Sequence, residues 1–255
     1  ELTQKGGFLV LALDEHEPAV AATKESALEA GLLGRSLYVQ QGSLDTLPWA
    51  DHYVDLLALP EKSRNTLNEA EFGEIMRVLT PVHGRAVFAD TVIDKPQIPG
   101  SDWWPHKLHG PDNNPVSEDT AFQLPAIQQF RAMPMFNPAH GATVTLDGIN
   151  IEIMDWEQTS FFVRRLCGRM YARNIYNGRI IWQDVAPYGL TTSLTTLVAA
   201  DGFVCHATVG RAAVLRRELR TGTTLDPIEL GGKDERVKWL AIVDGRLYAL
   251  LGGVH

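Results

Sequence analysis

The residue best placed for chemistry is an acid at the end of an apolar strand. Phe8–Leu13 is apolar throughout, Asp14 follows it directly, and Glu17-Pro18 then begins a helix. A carboxylate at the carboxyl end of a strand can accept hydrogen bonds from both hydroxyls of a nucleotide ribose. Asp14 could equally cap the helix that follows it, because a helix N-terminus favours an anion. This segment by itself leaves both roles open.

A second candidate position lies in the stretch QGSLDTLPWADHYVDLLAL, residues 41–59. It contains a bend at Gly42 and Ser43, then a loop, and closes with the largely apolar run Val54–Leu59. Strands that are covered on both faces are apolar throughout, so the pattern predicts two buried parallel strands. Their carboxyl ends would face one crevice, where open α/β sheets hold small ligands.

The same loop raises the question of a metal site, because Asp45, Asp51 and Asp55 lie close to His52 in sequence. Polar residues are usual in a solvated turn between strands, so we predict no metal ligands here. Four further histidines lack the spacing of ligands, and we expect them to be structural or exposed. They are His106, His109, His140 and His206.

Alternating strands and helices must position these residues. Apolar residues recur at helical spacing from residue 21 to residue 32, and Asn68 can cap a second helix that ends before Pro81. Further strands are predicted at residues 36–39, 54–59 and 85–88. Strand alternating with helix at this spacing predicts a parallel sheet.

Three segments in register resemble the middle of a class I S-adenosylmethionine-dependent methyltransferase of the type 11 group. They read VLALDEHEPAV, LYVQQGSLDTLPWADHYVDLLAL and EFGEIMRVLTPVHGRAVF, and together they cover roughly residues 5–90. The resemblance implies a Rossmann-like α/β domain that binds S-adenosylmethionine. It also implies that Asp14 binds the ribose and that the segment matching Gly42, Ser43 and Leu47–Trp49 lines the adenine. Glu15 and Leu44, which adjoin these residues, complete the predicted cofactor-binding set.

Two features depart from the family pattern. Ser43 stands where an adenine-binding acid is usual, so it could accept a hydrogen bond only as a neutral hydroxyl. The resemblance also places the family's first strand and glycine-rich loop upstream of residue 1, so we expect residues 1–255 alone to bind the cofactor poorly or not at all. Methyl transfer to a good nucleophile needs mainly in-line positioning, so we assign no catalytic residue and leave the methyl acceptor open.

The amino-acid composition changes beyond Asp90, where a long stretch is rich in proline, glycine and tryptophan and is predicted to be irregular. We therefore predict a partial methyltransferase-like domain at residues 1–92, a linker and lead-in at residues 93–140, and a third region at residues 141–255. The third region contains an internal sequence repeat that is marked by turns. Asp-Gly pairs at positions 147, 201 and 244 each separate two β-rich runs, and glycines 178 and 222 mark a second series of turns.

The spacing of these turns predicts the blades of a β-propeller. The later Asp-Gly pairs are 43 residues apart and the second series 44, whereas the first interval of 54 requires an insertion, placed within Gln158–Gly168. The run RMYARNIYNGRIIWQ resembles blades of quinoprotein-like propellers of the pyrroloquinoline-quinone type, and WWPHKLHGPDNNPVSEDT resembles their lead-in. In that family an aromatic residue after a glycine turn docks between blades, which implies this role for Trp182, whereas the next unit has Asp226.

The resemblance implies an all-β partial propeller of about three blades, and we expect the ring to continue beyond the C-terminal end. No cluster of acids suits the calcium ion that accompanies the quinone, so we do not expect pyrroloquinoline quinone. The propeller would then act as a scaffold, with a possible protein partner on its face. We interpret the whole as a bacterial fusion protein.

Composition excludes several other classes. Hydrophobic residues make up 45% and charged residues 21%, which argues against disorder. Residues 1–100 carry 15 acids against 8 bases and residues 101–255 carry 16 against 15, so neither half has the basic surface of a nucleic-acid binder. No apolar run is long enough for a membrane span. Cys167 and Cys205 could pair, but two buried thiols are the favoured interpretation.

Two further hypotheses remain beside methyl transfer. The methyltransferase fold could be degenerate, leaving a binding scaffold that works through its propeller face, and Ser43 favours this slightly. A nicotinamide-dependent dehydrogenase would also use Asp14, but no Gly-x-Gly-x-x-Gly motif is present in the sequence. The compartment stays open, because the first half suggests the cytoplasm and the second half an exported, periplasmic protein.

Overall fold

A computed structural model of the protein describes residues 7–121, 143–154, 169–185, 196–208, 212–232 and 234–253. These residues form mainly β-sheet, with two α-helices. The chain divides into two compact units, residues 1–95 and residues 96–255. The predicted insertion at Gln158–Gly168, together with His140 and Cys167, lies outside the described residues.

The N-terminal unit alternates strands and helices over most of its length. Its elements are β1 (Val10–Asp14), α1 (Glu17–Glu29), β2 (Leu37–Gln41), β3 (Leu56–Leu59), α2 (Glu69–Val78), β4 (Arg85–Phe88) and β5 (Val92–Asp94). β1 pairs with β2 and β3 pairs with β4, both in parallel, as the alternation predicts, and β5 adds an antiparallel strand to β4. The two parallel pairs belong to separate sheets.

Both helices begin where their sequences predict. Pro18 lies in the first turn of α1, where a missing backbone N–H costs nothing. The start of α2 is a capping box, in which Asn68 Oδ1 accepts from the backbone N–H of Glu71 and the Glu71 carboxylate accepts from the backbone N–H of Asn68. The box satisfies two N–H groups that would otherwise lack partners at the helix start.

The prediction that these strands are buried on both faces is wrong for both β2 and β3. No residue of β2 is fully buried. Leu57 is buried against Ile75 and Val78 of α2, whereas Leu56 is 37% exposed and Ala58 is also exposed. Among the described residues the apolar cluster that includes α2 covers only one face of β3. An apolar run therefore does not by itself guarantee two covering layers.

The C-terminal unit is built from antiparallel sheets. Its strands are β6 (Thr143–Leu146), β7 (Ile149–Met154), β8 (Arg169–Asn174), β9 (Ile180–Val185), β10 (Leu197–Ala200), β11 (Phe203–Ala207), β12 (Ala213–Glu218), β13 (Ile228–Glu229), β14 (Glu235–Val243) and β15 (Arg246–Gly253). Strands β6–β9 form one four-stranded sheet, β10–β13 form a second, and β14–β15 form a hairpin. Within each sheet, every strand pairs with the next one along the chain.

The Asp-Gly turns that define the repeat are confirmed. Both residues of each pair have positive φ, as at Asp201 (50°) and Gly202 (78°), and each pair joins the first two strands of its sheet. Two successive residues at positive φ define the type I′ turn, whose twist matches that of a β-hairpin. Asparagine, aspartate and glycine tolerate that conformation better than other residues do, which is why the sequence signal was specific.

The first strands of the three sheets lie side by side. β10 is in contact with both β6 and β14, and buried apolar residues from all three sheets form one core, among them Ile151, Val204 and Leu240. Successive sheets therefore stack on one another with their first strands together on one side.

Candidate functional site

The candidate site of the N-terminal unit lies where β1 and β2 end. Asp14 pairs with Gln41 at the last position of the parallel ladder, and the backbone N–H of Gly42 donates to the carbonyl oxygen of Asp14 over 3.1 Å. The predicted ribose residue and the predicted adenine bend are therefore neighbours at one edge of the sheet. A parallel pairing places both at carboxyl ends, where α/β folds bind ligands.

The Asp14 carboxylate has one oxygen committed within the chain. Its Oδ1 accepts from the backbone N–H of His16 over 2.8 Å, at the residue that precedes α1. Its Oδ2 has no hydrogen-bond partner among the described residues, and the residue is exposed. α1 has no side-chain cap, so the capping role considered for Asp14 is not realised; its Oδ1 instead closes a short turn before the helix, and its Oδ2 faces solvent.

Two contacts fix the geometry of this edge, and the first involves Gln41, a residue that sequence reasoning missed. The Gln41 side-chain amide donates to the carbonyl oxygen of Glu15 over 3.0 Å and so joins the ends of the two strands. A Cβ added to Gly42 would lie 3.2 Å from Cδ2 of Leu13, so the strand packing itself favours glycine at the bend. Ser43 and Leu44 are half-buried beyond it, and Leu44 packs on the apolar cluster.

The loop that follows the bend is bonded to α2 through Arg77. Its guanidinium donates to the Glu74 carboxylate at 2.7 and 2.8 Å and to the carbonyl oxygens of Leu47 and Trp49 at 3.1 and 2.9 Å. Asp51 accepts a further bond of 2.8 Å. The Glu-x-x-Arg spacing on a helix was the sequence signal for this network, because residues three apart lie on one face.

Hydrogen bonding within this network shifts the acidity of Glu74. The Arg77 side chain, and next the backbone N–H of Leu47, lower the pKa of Glu74 to about 2. Asp51, one of the acids considered as a metal ligand, is instead paired with Arg77 in this network. Within the part of the chain that the structure describes, no group of three or more potential ligands could hold a metal ion.

In the C-terminal unit Trp182 contacts the neighbouring sheet, as predicted. Its Nε1–H donates to the carbonyl oxygen of Leu219 over 2.8 Å, and its ring covers Gly222. A Cβ at Gly222 would lie 2.6 Å from Cδ2 of Trp182. Asp226, at the corresponding position of the next sheet, is exposed.

An arginine repeat accompanies these turns and was missed in the sequence. Arg173 donates to the carbonyl oxygen of Gly178 and Arg217 to that of Gly222, each five residues upstream of its glycine. The signal was visible in RNIYNG and RELRTG, which both begin with arginine. Arg217 is buried and also pairs with Asp184 of the preceding sheet, so it ties the two sheets together.

A short segment, Trp104–His106, which we term the strap, bonds to the first strand of all three sheets. The carbonyl oxygens of Trp104 and Pro105 accept from the backbone N–H groups of Thr145 and Ala199 at 2.8 and 2.9 Å. Nε2 of His106 accepts from the backbone N–H of Ile242 over 3.1 Å. The three donors stand at equivalent positions, two residues before each Asp-Gly turn, so the strap holds the three first strands in register.

The described histidines of this unit are hydrogen-bonded within the chain. His106 is buried in the strap, and His109 bonds to Asp102 over 2.6 Å. His206 is fully buried on β11, where burial lowers its pKa to about 4. Its neighbour Cys205 is also buried, and burial raises the pKa of that thiol to about 11, which makes it unreactive.

The strap bond of His106 is expected to weaken in acid. Burial lowers the pKa of His106 below its ordinary value of 6.5; of its neighbours, His109 lowers the pKa as well and Asp112 raises it. As the pH falls, the unfolded chain therefore takes up the proton before the folded chain does. The stability of the folded state consequently decreases below about pH 6.5. Amide hydrogen exchange measured at Ile242, corrected for the intrinsic rate, should therefore accelerate between about pH 7 and pH 5.

The variant His106→Gln keeps an acceptor that does not titrate, so this acceleration at Ile242 should disappear. The amide of Ala199, which bonds to the carbonyl oxygen of Pro105, serves as the internal control. An unchanged pH dependence at Ile242 in the variant would show that other groups cause it.

No protein-family model and no curated protein matches this chain. Among solved structures, the YcgJ protein from Bacillus subtilis is similar over 31% of this chain and 32% of its own, with 23% identity and a TM-score of 0.28. BamB from Moraxella catarrhalis is similar over 44% of this chain and 43% of its own, with 17% identity and a TM-score of 0.28.

A europium-containing methanol dehydrogenase is similar over 44% of this chain and 20% of its own, with 12% identity and a TM-score of 0.32. These similarities are distant, and each spans less than half of the other chain. Neither α-helix among the described residues has the length and apolar character needed to cross a membrane.

Proposed function

We propose that the N-terminal unit is the nucleoside-binding part of a Rossmann-like, S-adenosylmethionine-dependent methyltransferase. The observation that carries this proposal is the adjacency of Asp14 and Gly42 at the carboxyl ends of two paired parallel strands. An exposed carboxylate beside a glycine bend suits a ribose and the base attached to it. The sequence resemblance over roughly residues 5–90 supports the same ligand.

In this proposal the residues hold the nucleoside half of the cofactor. Oδ2 of Asp14 accepts from the ribose hydroxyls while Oδ1 keeps its bond to His16, so binding does not disturb the start of α1. Gln41 keeps Glu15 close to the end of β2, and Gly42–Leu44 line the base. The cofactor supplies the activated methyl group, and the acceptor is a small molecule or macromolecule of unknown identity.

We propose that the C-terminal unit consists of successive blades of a quinoprotein-like propeller and acts as a binding scaffold. Two four-stranded antiparallel sheets, first strands that lie side by side, and Trp182 docked on the next sheet support this architecture. We assign no quinone to it, since the sequence shows no cluster of acids suited to the calcium ion that accompanies one. A protein partner on the propeller face fits a scaffold role.

A purely structural role for the whole chain is the second candidate. Leu13 lies close enough to Gly42 to favour glycine there without any cofactor, and Ser43 offers only a neutral hydroxyl to an adenine. In this alternative the N-terminal unit is a degenerate fold attached to a propeller scaffold.

Titration of the chain with S-adenosylmethionine, followed by amide NMR, separates the two candidates. At millimolar ligand we expect chemical-shift changes centred on Asp14 and Gly42–Leu44. Asp14→Asn should weaken binding by about tenfold or more, because hydrogen bonds to a charged acceptor contribute about 1.5–3 kcal/mol. The matched control is Glu25→Gln, which removes one exposed acid from α1 and should leave binding unchanged.

Two outcomes would contradict the methyltransferase proposal. One is a set of shifts centred on residues other than these strand ends at millimolar ligand, and the other is equal affinity of wild type and Asp14→Asn. Either result would favour the scaffold.

A further inference from the structure

Basic groups converge at the end of β5, in contacts that the proposed function does not use. Nζ of Lys95 lies 2.7 Å from Nδ1 of His52 and 3.3 Å from the carbonyl oxygen of Arg77. The backbone N–H of His52 donates to the same carbonyl over 2.9 Å. The backbone of His52 and the Lys95 amine are therefore both anchored at the last turn of α2, next to the contact between imidazole and amine.

The backbone of His52 adopts an uncommon conformation to make this contact. Its φ is 63°, in the left-handed region, which costs a residue other than glycine roughly 1–2 kcal/mol. Asparagine tolerates this region better than histidine does. The surrounding bonds thus hold the ring in place against a local preference.

The environment of Lys95 favours its neutral amine. Burial lowers the pKa of Lys95 to about 8; the Arg77 guanidinium lowers it too, and Asp51 acts in the opposite direction. Burial and then the neighbouring Lys95 lower the pKa of His52, whose ring therefore accepts the Lys95 hydrogen bond as a neutral imidazole. At about pH 7.5 roughly a quarter of the Lys95 amines are neutral, against about one in a thousand for an ordinary lysine.

We propose that Lys95 is a nucleophilic modification site that accepts an acyl group from a thioester, with His52 as the base. The neutral amine attacks the thioester carbonyl, and the new N–C bond forms as the C–S bond breaks. The proton lost by the amine passes to Nδ1 of His52 and from there to the departing thiolate. The products are an amide at Lys95 and a free thiol, and no oxidant or reductant is consumed.

This site is independent of the proposed methyl transfer, because it needs neither the nucleoside nor Asp14. Lys95 is half-buried, so its amine is shielded enough to lose charge and open enough for a small thioester to reach it. The amide product is uncharged, so modification removes one positive charge from the group formed with Arg77 and Asp51.

The test uses residues 1–255 and the acetyl thioester of N-acetylcysteamine, with acetylation of each lysine measured by peptide mass spectrometry. Lys62 and Lys107, both exposed, serve as internal controls. We expect the initial rate at Lys95 to exceed theirs by about tenfold near pH 7.5, because its larger neutral fraction outweighs its lower intrinsic nucleophilicity. The Lys95 rate should level off above about pH 8, whereas an ordinary lysine gains rate up to about pH 10.

His52→Asn is the variant that isolates the base. It suits the left-handed backbone and offers a side-chain oxygen to Lys95, but it cannot take up a proton. We expect the acetylation rate at Lys95 to fall at least tenfold, with the rates at Lys62 and Lys107 unchanged. Equal rates at Lys95 and Lys107 in the wild type, a Lys95 rate that keeps rising to about pH 10, or no effect of His52→Asn would overturn the proposal.

Discussion

Trp182→Ala is expected to destabilise the C-terminal unit by about 3 kcal/mol, the largest effect of any substitution considered for this protein. The indole packs on the core shared by the sheets, and its N–H satisfies the carbonyl oxygen of Leu219 in the next sheet. Truncation leaves a cavity between the sheets and a carbonyl without its partner. Urea denaturation of residues 1–255, with hydrogen exchange at β12, measures the loss.

A matched pair of glycine variants locates this effect at the contact between sheets. Gly222 and Gly202 have φ of 74° and 78°, but a Cβ would meet Trp182 only at Gly222, whereas nothing lies within 4 Å at Gly202. Gly202→Ala therefore measures backbone strain alone, about 1–2 kcal/mol, and Gly222→Ala should cost at least about 1 kcal/mol more. When Trp182→Ala is also present, the extra cost of Gly222→Ala relative to Gly202→Ala should vanish, because the indole ring is no longer there.

The control for the indole is Val185→Ala on the same strand, where the side chain is 67% exposed and little change is expected. Should Trp182→Ala prove no more damaging than Val185→Ala, the docking of the indole would not contribute to stability.

Arg77→Met is expected to destabilise the N-terminal unit by about 2–3 kcal/mol, because it removes charge-assisted hydrogen bonds while preserving an apolar stem of similar length. It removes the donor of the carbonyl oxygens of Leu47 and Trp49, and it leaves the Glu74 carboxylate with only the backbone N–H of Leu47. Hydrogen exchange in the peptide covering α2 should accelerate by about 30-fold to 150-fold. Arg77→Lys should recover only part of the loss, since an ammonium group cannot reproduce the planar fork.

Arg85→Met is the matched control in the same unit. Its ion pair with Asp94 has both side chains more than half exposed, and such pairs contribute little to stability. Equal effects of the two arginine variants would mean that the Arg77 network is no stronger than an exposed ion pair.

The Arg77 network also predicts how the N-terminal unit responds to acid. The pKa of Glu74 is lowered from 4.5 to about 2, so its contribution to stability is complete above about pH 4.5 and is lost as the pH falls toward about 2. Glu74→Gln should remove that part of the acid sensitivity. A variant that loses stability as steeply as the wild type over this interval would place the sensitivity at other carboxylates.

Local patterns predicted much of the fold. Asn68 and Glu71 were sufficient to place the start of α2, because a capping box involves only neighbouring residues. The Asp-Gly pairs predicted hairpins at the right positions, because positive φ at two successive residues restricts the residue types that can occupy a turn. The parallel pairing of β1 with β2 followed from the alternation of strand and helix.

Contacts between distant segments could not be predicted in this way. The strap joins residues 104–106 to strands that begin as far along the chain as residue 235, and its bonds use backbone groups that every residue carries. The contact between Lys95 and His52 likewise depends on how β5 and a loop pack together. Burial was also mispredicted at β2 and β3, because whether a second layer covers a strand is decided by the rest of the fold.

The sequence by itself therefore determined the positions of turns, the starts of helices and the acid that ends β1, since each depends on the conformational preferences of a few adjacent residues. Tertiary structure alone decided which oxygen of Asp14 stays open, which side chains surround Arg77, and which amine contacts His52. The physical reason is that hydrogen bonding and burial act through space, and both depend on groups that lie far apart in the chain.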